Sequence, residues 1–290
     1  MMLIDSHCHL QFRAYKKERE SVIAVCKEKN MLLNVIGTHT DTSKSAVDLA
    51  SKYDWMYATV GIHPIQHTAI EVEEEGSTFK SRGEVFDEAF FDTLVATGQV
   101  IGVGETGLDK YHIPEGVAGK EAFEKQKVLF GEHVKFAVKH NLALVIHVRD
   151  ARDPDEPSTH EDMIALLKQY KEEYGDQLKG VIHCFTGGSA YAQAYIDLGF
   201  YLGVGGVITY PAKGNKYTKE HLADVIDTVP LDKILTETDA PYLAPQKYRG
   251  KRCDPWMSEE VAKFIAEQRG MSVEELKKYV RENFKKVFGV

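Results

Sequence analysis

The stretch "LIDSHCHL" at residues 3–10 decides how the chain is read: a short apolar run stops at two histidines that flank a cysteine. In an extended strand alternate side chains share a face, so His7 and His9 project together while Cys8 turns away. The same pattern, an apolar run closed by a polar or glycine stop and followed by a longer segment, recurs along the chain. The runs are "LIDSH" (3–7), "LLNVIG" (32–37), "MYATVGIH" (56–63), "VIGVGE" (100–105), "LALVIH" (142–147), "GVIHCF" (180–185), "FYLGVGG" (200–206) and "KILTETD" (233–239). Between most of them lie segments of helical period, such as "EAFEKQKVLFGEHVKFAVKHN" (121–141), with apolar residues three and four apart. Runs apolar on both faces that alternate with helices indicate parallel strands covered by helices. Eight such units predict an α/β fold, a (β/α)8 TIM-type barrel forming a single domain over residues 1–290. The rival is an open doubly wound sheet, and the chain has no Gly-rich dinucleotide turn to support it.

Composition narrows the function classes. The chain carries a formal net charge of −8 over 290 residues, so no global basic field recruits nucleic acid or an anionic membrane. A nucleic-acid ligand has to be held by local cations or by bound metal. No apolar stretch is long enough to span a bilayer and no signal-peptide pattern opens the chain, so it reads as soluble and cytoplasmic, with no membrane role and no obligate protein partner. The four cysteines (Cys8, Cys26, Cys184 and Cys253) are scattered and form no C-x-x-C pair, which reads as reduced thiols.

What sits at the strand ends points to function. The first run ends in His7 and His9, the third in His63, the fourth in Glu105 and the fifth in His147; the sixth carries His183 and the eighth ends in Asp239. In a barrel the C-terminal strand ends converge on one mouth, where active sites are built. Taken singly, each residue has an ordinary reading: a packed core histidine, a surface carboxylate, a helix cap. Together they imply a cation, because burying imidazoles and carboxylates side by side without one is costly. Six donors exceed the roughly three protein ligands of a single catalytic zinc, so two divalent ions per chain are expected. The assignment is His7, His9 and Asp239 to one ion, His147 and His183 to the other, and Glu105 as the bridging anion. Zinc, manganese and magnesium all suit this donor set.

The motifs "LIDSHCHL", "VGIHP", "IGVGETGLD", "VIHVRDA", "GVIHCFTGG", "GFYLGVGG", "LTETDAPYLAP" and "YRGKRCDP", with the closing "ENFKKVFG" (282–289), resemble in content and order the TatD-type metal-dependent deoxyribonucleases of the amidohydrolase superfamily. The resemblance runs from residue 3 to 289. It implies the barrel fold and metal ligands at His7, His9, Glu105, His147, His183 and Asp239. It also implies a divalent-metal-dependent hydrolase that cleaves DNA phosphodiester bonds through a metal-bound hydroxide, with Asp239 and Glu105 as the catalytic carboxylates. The alternative on the same binuclear site is an acyl, ester or amide hydrolase, for example one that deacylates D-aminoacyl-tRNA.

Residues beyond the donors carry the expected substrate contacts. By similarity His63, in "GIHP", touches substrate, the alternative being a histidine packed in a turn. Arg149 shares a strand face with His147 and is placed to fork onto a phosphate, or else to pair with Asp150 or Asp153. Arg249, Lys251 and Arg252 form a local cation cluster after the last strand, against the plainer reading of a solvated loop. The segment after "GLD" sets His112 toward the substrate, and Tyr111 and Tyr242 stack on bases or simply pack. Two departures from the family pattern stand out: Cys253–Asp254–Pro255 where Asn–Glu–Pro is usual, and Val148 in place of a small hydroxyl residue. Three long connections (66–93, 151–160 and 210–219) follow strands and are expected around the mouth, the first with an acidic Glu73–Glu75 run.

Overall fold

A computed structural model describes residues 2–67, 71–74, 77–80, 83–114, 116–153, 155–211 and 221–290. Eight apolar runs become the parallel strands of one sheet: β1 (Leu3–Cys8), β2 (Met31–Ile36), β3 (Met56–Val60), β6 (Val100–Asp109), β7 (Ala143–Arg149), β8 (Gly180–Ile182), β9 (Tyr201–Val204) and β10 (Ile234–Thr236), hydrogen-bonded in that order. A separate antiparallel hairpin, β4 (Glu71–Glu74) with β5 (Ser77–Lys80), follows β3 and pairs Glu71 with Lys80.

The sheet closes between its first and last strands. Cys8 bridges Ala240 in parallel, His7 O accepts from Asp239 N at 2.9 Å, and Ala240 O accepts from His9 N at 2.7 Å. The buried Asp5 carboxylate adds a side-chain tie, with Oδ1 accepting Thr238 N at 2.9 Å and Oδ2 accepting the Thr238 hydroxyl at 2.6 Å. Closure therefore falls where His7, His9 and Asp239 leave their strands.

Helices cover the outside: α1 (Arg19–Glu28), α2 (Thr40–Ala50), α3 (Glu88–Val95), α4 (Val117–Lys139), α5 (Thr159–Tyr174), α6 (Ser189–Asp197), α7 (Leu222–Thr228), α8 (Ser258–Gln268) and α9 (Val273–Phe288). The last is delimited by local chemistry. Ser272 caps its start with a reciprocal Glu275 bond, and Gly289, at φ 78, ends it in the left-handed conformation that glycine adopts without a Cβ penalty. Its apolar face buries Phe284 and Phe288 against the barrel. No helix among the described residues is long and apolar enough to cross a membrane.

Strand boundaries differ from the sequence reading in a way that matters for function. β6 runs on past Glu105 to Asp109, because Gly107, at φ +143, brings the backbone so close to β7 that a Cβ there would sit 2.0 Å from His147 O. β8 and β10 stop short, at Ile182 and Thr236, so His183 and Asp239 lie in the turns just beyond. Cys184 at φ 45 and Asp239 at φ 62 show the chain leaving extended geometry at these points, a local strain that clusters at functional sites.

Candidate metal centre

The four nitrogens and two carboxylates expected to meet do so at the C-terminal mouth of the barrel. His7 and Glu105 both sit at irregularities of the sheet. The β1–β2 register shifts between Asp5 and Cys8, and the β6–β7 register shifts between Val103 and Thr106. Such bulges re-aim a side chain that a regular ladder would send elsewhere.

Glu105, 4% exposed, divides its two oxygens between two clusters. Oε2 lies 3.4 Å from His7 Nε2 and 3.6 Å from His9 Nε2. The same two nitrogens are 3.3 Å apart, and Asp239 Oδ1 stands 3.6 Å from His7 Nε2 and 3.3 Å from His9 Nε2. On the other side, Oε1 lies 3.3 Å from His63 Nε2, 3.1 Å from His147 Nδ1 and 3.2 Å from His183 Nε2.

Hydrogen bonds on the outer nitrogens sort these imidazoles. His9 Nδ1 donates to Ile36 O at 2.8 Å, His147 Nε2 to Asp109 Oδ2 at 3.0 Å, and His183 Nδ1 to Glu237 Oε1 at 3.1 Å. In the neutral imidazole each of the three then keeps its lone pair for the centre, the tautomer a metal requires. His63 is the opposite case. Its Nδ1 accepts from Ile65 N at 3.3 Å, which leaves the hydrogen on Nε2, facing Glu105. Spacing alone groups His63, Glu105 and His147 as possible ligands, but the tautomer makes His63 a hydrogen-bond donor to the cavity.

Asp109 and Glu237, which the sequence reading passed over, are the carboxylates behind the ligands. Asp109 is fully buried; its Oδ2 accepts from His147 and from His112 Nδ1 (2.8 Å), and its Oδ1 from His112 N (2.9 Å). Glu237 fits only because residue 203 is glycine, where a Cβ would stand 2.2 Å from Glu237 Oε2. For Asp109 a signal existed in the sequence: it lies an even number of residues beyond Glu105 in the same strand, on the same parity.

Electrostatics match a cation site. Burial pushes the Glu105 and Asp239 carboxyls up, yet the surrounding histidines win and hold both below the ordinary range. Burial lowers His147, but its bonds to Asp109 and Glu105 prevail and raise it to about 9. His183 is likewise raised, Glu105 and Glu237 outweighing burial. His7 is lowered, by burial first and by His183 second. The mouth thus stabilises added positive charge. The spacing agrees: four donors in tetrahedral array, each about 2.1 Å from a common centre, stand roughly 3.4 Å apart. Five of the six pairs in the His7, His9, Glu105 and Asp239 set measure 3.3–3.6 Å, too long for strong hydrogen bonds and right for shared coordination.

The comparisons with known proteins agree with this geometry. The family model described as "TatD related DNase" matches residues 4–289. The chain belongs to the TatD family. A Bacillus subtilis relative, the uncharacterized metal-dependent hydrolase YabD, is 35% identical over 290 residues, covering 100% of both chains. The uncharacterized metal-dependent hydrolase YcfH of Escherichia coli is 31% identical over 294 residues, covering 100% of this chain and 97% of its own. Among solved structures, the TatD homolog YjjV of Escherichia coli superimposes with a TM-score of 0.78 at 26% identity, covering 99% and 98% of the two chains. A TatD family protein of Entamoeba histolytica, at 18% identity and a TM-score of 0.75, shares the fold. This chain is accordingly a TatD-family metal-dependent hydrolase on a single-domain TIM barrel.

The remaining expected contacts divide. A cavity of about 970 Å3 opens above the centre and is lined by His63, Arg149, Arg249, Lys251 and Arg252 among others. Arg149 carries its guanidinium 4.2 Å over the Tyr111 ring, which Arg152 also covers at 4.6 Å, so Tyr111 is a platform for arginine rather than an open face for a base. Tyr242 lines the cavity. Arg252 lines the cavity while pairing with Glu18 (2.7 Å) and Asp254 (2.9 Å). The Asp254 that departs from the family pattern is thus the partner that holds Arg252. His112 is buried, with its Nδ1 fastened to Asp109. Asp150 closes the 151–160 connection back on β7 by accepting Ser158 Oγ at 2.9 Å and Thr159 N at 2.6 Å. Residues 212–220 and the side chains of Glu73–Glu75 lie outside the described residues, so how those two connections stand around the mouth is not part of the description.

Proposed function

We propose that this chain is a two-metal phosphodiesterase acting on DNA. The observation that carries the reading is the division of Glu105, one oxygen toward His7 and His9 and the other toward His147 and His183. In this reading His7, His9, Asp239 and Glu105 Oε2 hold one divalent ion, and Glu105 Oε1, His147 and His183 hold the other. Bound there, the ions supply Lewis-acid polarisation of the phosphate oxygens and lower the pKa of water. The chain's own residues do the rest. The Asp239 carboxylate, kept ionised and lining the cavity, accepts the proton of the attacking water and returns it to the leaving oxygen. His63 offers its Nε2 hydrogen to a phosphate oxygen, and Arg149, steadied by Tyr111, presents its N–H edge to another. The Arg149 wall is what favours phosphate over a carbonyl substrate, which needs no such cation.

The test is direct. Pure protein loaded in turn with Zn, Mn or Mg is offered labelled single-stranded oligonucleotides and aminoacylated tRNA. Metal-dependent release of nucleotides is expected. Deacylation of the tRNA with every oligonucleotide left intact overturns the reading in favour of ester hydrolysis.

A further inference from the structure

The long helix α4 carries two buried polar residues, Gln126 and His133. Seven residues apart, they are separated by two turns, about 10.5 Å, and project from one side of the helix. Each reaches a strand end that holds part of the metal centre. β6 outruns its neighbour β3: Val60 and Val103 are the last pair between them, while β6 continues to Asp109 along β7. On its β3 side the Asp109 backbone therefore meets no strand among the described residues, although the residue is fully buried. Buried peptide groups left without partners are costly, and here a side chain stands in for the missing strand. Gln126 Oε1 accepts Asp109 N at 2.8 Å, and Gln126 Nε2 donates to Asp109 O at 3.0 Å. The amide thus clamps both backbone groups of the residue whose carboxylate accepts from His147 Nε2 and His112 Nδ1. His133 acts in the same way beyond the end of β3. Its Nδ1 donates to Leu129 O at 2.8 Å, and its Nε2 accepts Ile62 N at 2.9 Å, one residue before His63. The two strand ends meet again at Glu105 Oε1, which lies 3.1 Å from His147 Nδ1 and 3.3 Å from His63 Nε2. The His63 and His147 rings stand edge to face with centroids 4.3 Å apart.

We propose that α4 is the positioning element for this side of the centre: Gln126 sets Asp109, and through it His147, while His133 sets His63. The inference rests on the reading above that gives His147 to an ion and the His63 hydrogen to a phosphate oxygen. Neither Gln126 nor His133 touches an ion or a substrate, so both are positioning residues. Ligands and donors have to be held to within about 0.5 Å, and packed helices and strands do this better than loops. Here one helix fixes two strand ends at once, so the ligand His147 and the donor His63 keep a common distance to the same carboxylate oxygen.

Two titrations test this. In the first, competitive metal chelation compares the wild type with Gln126→Met, which matches glutamine in length without its hydrogen bonds. The phase that depends on His147 and His183 should weaken at least about fivefold, the lower end of the loss for buried groups left unpaired, while the phase that depends on His7 and His9 holds. Gln126→Asn, whose amide is one methylene short, should show the same selective loss and replaces Gln126→Met if that variant does not fold. A merely structural role lowers both phases together or only the midpoint of thermal unfolding, and either result overturns the role of Gln126. In the second, inorganic phosphate is titrated into the metal-loaded protein. His133→Leu should weaken phosphate binding at least about fivefold with the metal phases intact, and His133→Gln, which keeps an acceptor near the position of Nε2, should restore it. Unchanged phosphate binding in His133→Leu, or no recovery in His133→Gln, overturns the role of His133. If the wild type shows a single metal phase, the two-ion reading falls. A loss of about fivefold in that phase for Gln126→Met then still upholds the helix's role, and an unchanged phase overturns it.

Discussion

Replacing Asp109 with asparagine isolates the part of the site that holds a ligand without touching the centre. Asp109 Oδ2 accepts from both His147 Nε2 (3.0 Å) and His112 Nδ1 (2.8 Å), while Oδ1 accepts His112 N (2.9 Å). All three partners are donors, and the residue is fully buried. Asparagine has the same shape but must point its NH2 at one or two of those donors. The relief available to the neutral His147 ring is to move its hydrogen from Nε2 to Nδ1, which removes the lone pair that a metal beside Glu105 Oε1 would use. Outer partners of this kind typically change metal affinity by about 10- to 100-fold, equivalent to roughly 1.4–2.8 kcal/mol. Competitive titration with a chromophoric chelator at neutral pH reads both binding phases. The phase that depends on His147 and His183 should weaken by that factor. The phase that depends on His7 and His9 should hold, because the outer nitrogen of His9 bonds Ile36 O instead. Two unaltered phases, or weakening confined to the His7–His9 phase, would refute the tautomer reasoning.

Other outcomes follow from the same geometry. Asp239→Asn, assayed at saturating metal, should lower turnover by about a hundredfold or more, the lower range of general acid–base catalysis; near-normal turnover would mean that another group moves the proton. Arg149→Ala should reduce turnover of nucleotide substrates while metal content, read by elemental analysis, stays at the wild-type level, and a variant that loses metal contradicts a phosphate role. Away from the centre, burial holds His160 down at about 4 from its ordinary 6.5, the nearby Asp150 only partly opposing, and its Nδ1 bonds the Tyr195 hydroxyl at 3.0 Å. The unfolded chain takes up this proton near pH 6.5 and the folded one only near pH 4, so the stability is complete above pH 6.5 and drains away as pH falls between those values. Relative to His160→Gln, which does not titrate, the wild type should lose roughly 3 kcal/mol over that window in urea unfolding; parallel profiles would remove His160 from the acid response.

The barrel was legible because parallel strands covered on both faces must be apolar on both parities, and that pattern survives in the bare chain at "LALVIH" or "VIGVGE". The donors were legible for the complementary reason, since His and Glu have no place at the ends of such runs unless something there repays their burial. What stayed hidden depends on partners brought from afar. Glu237 reaches His183 only through the space left by Gly203, and Arg252 finds Glu18 across more than two hundred residues. His112 follows "GLD" as a substrate residue might, yet Asp109 captures its Nδ1. The short β8 and β10 could not be read either, because neither Ile182 nor Thr236 is followed directly by a glycine or proline that would announce the end, and the positive φ comes only later, at Cys184 and Asp239.

The central claim is that Glu105 joins two metal positions. Anomalous-scattering maps of crystals loaded with manganese or zinc test it most directly. Two peaks are predicted on opposite sides of the Glu105 carboxylate, one among His7, His9 and Asp239 and the other between His147 and His183. One peak only, or two peaks of which neither touches Glu105, would contradict the account.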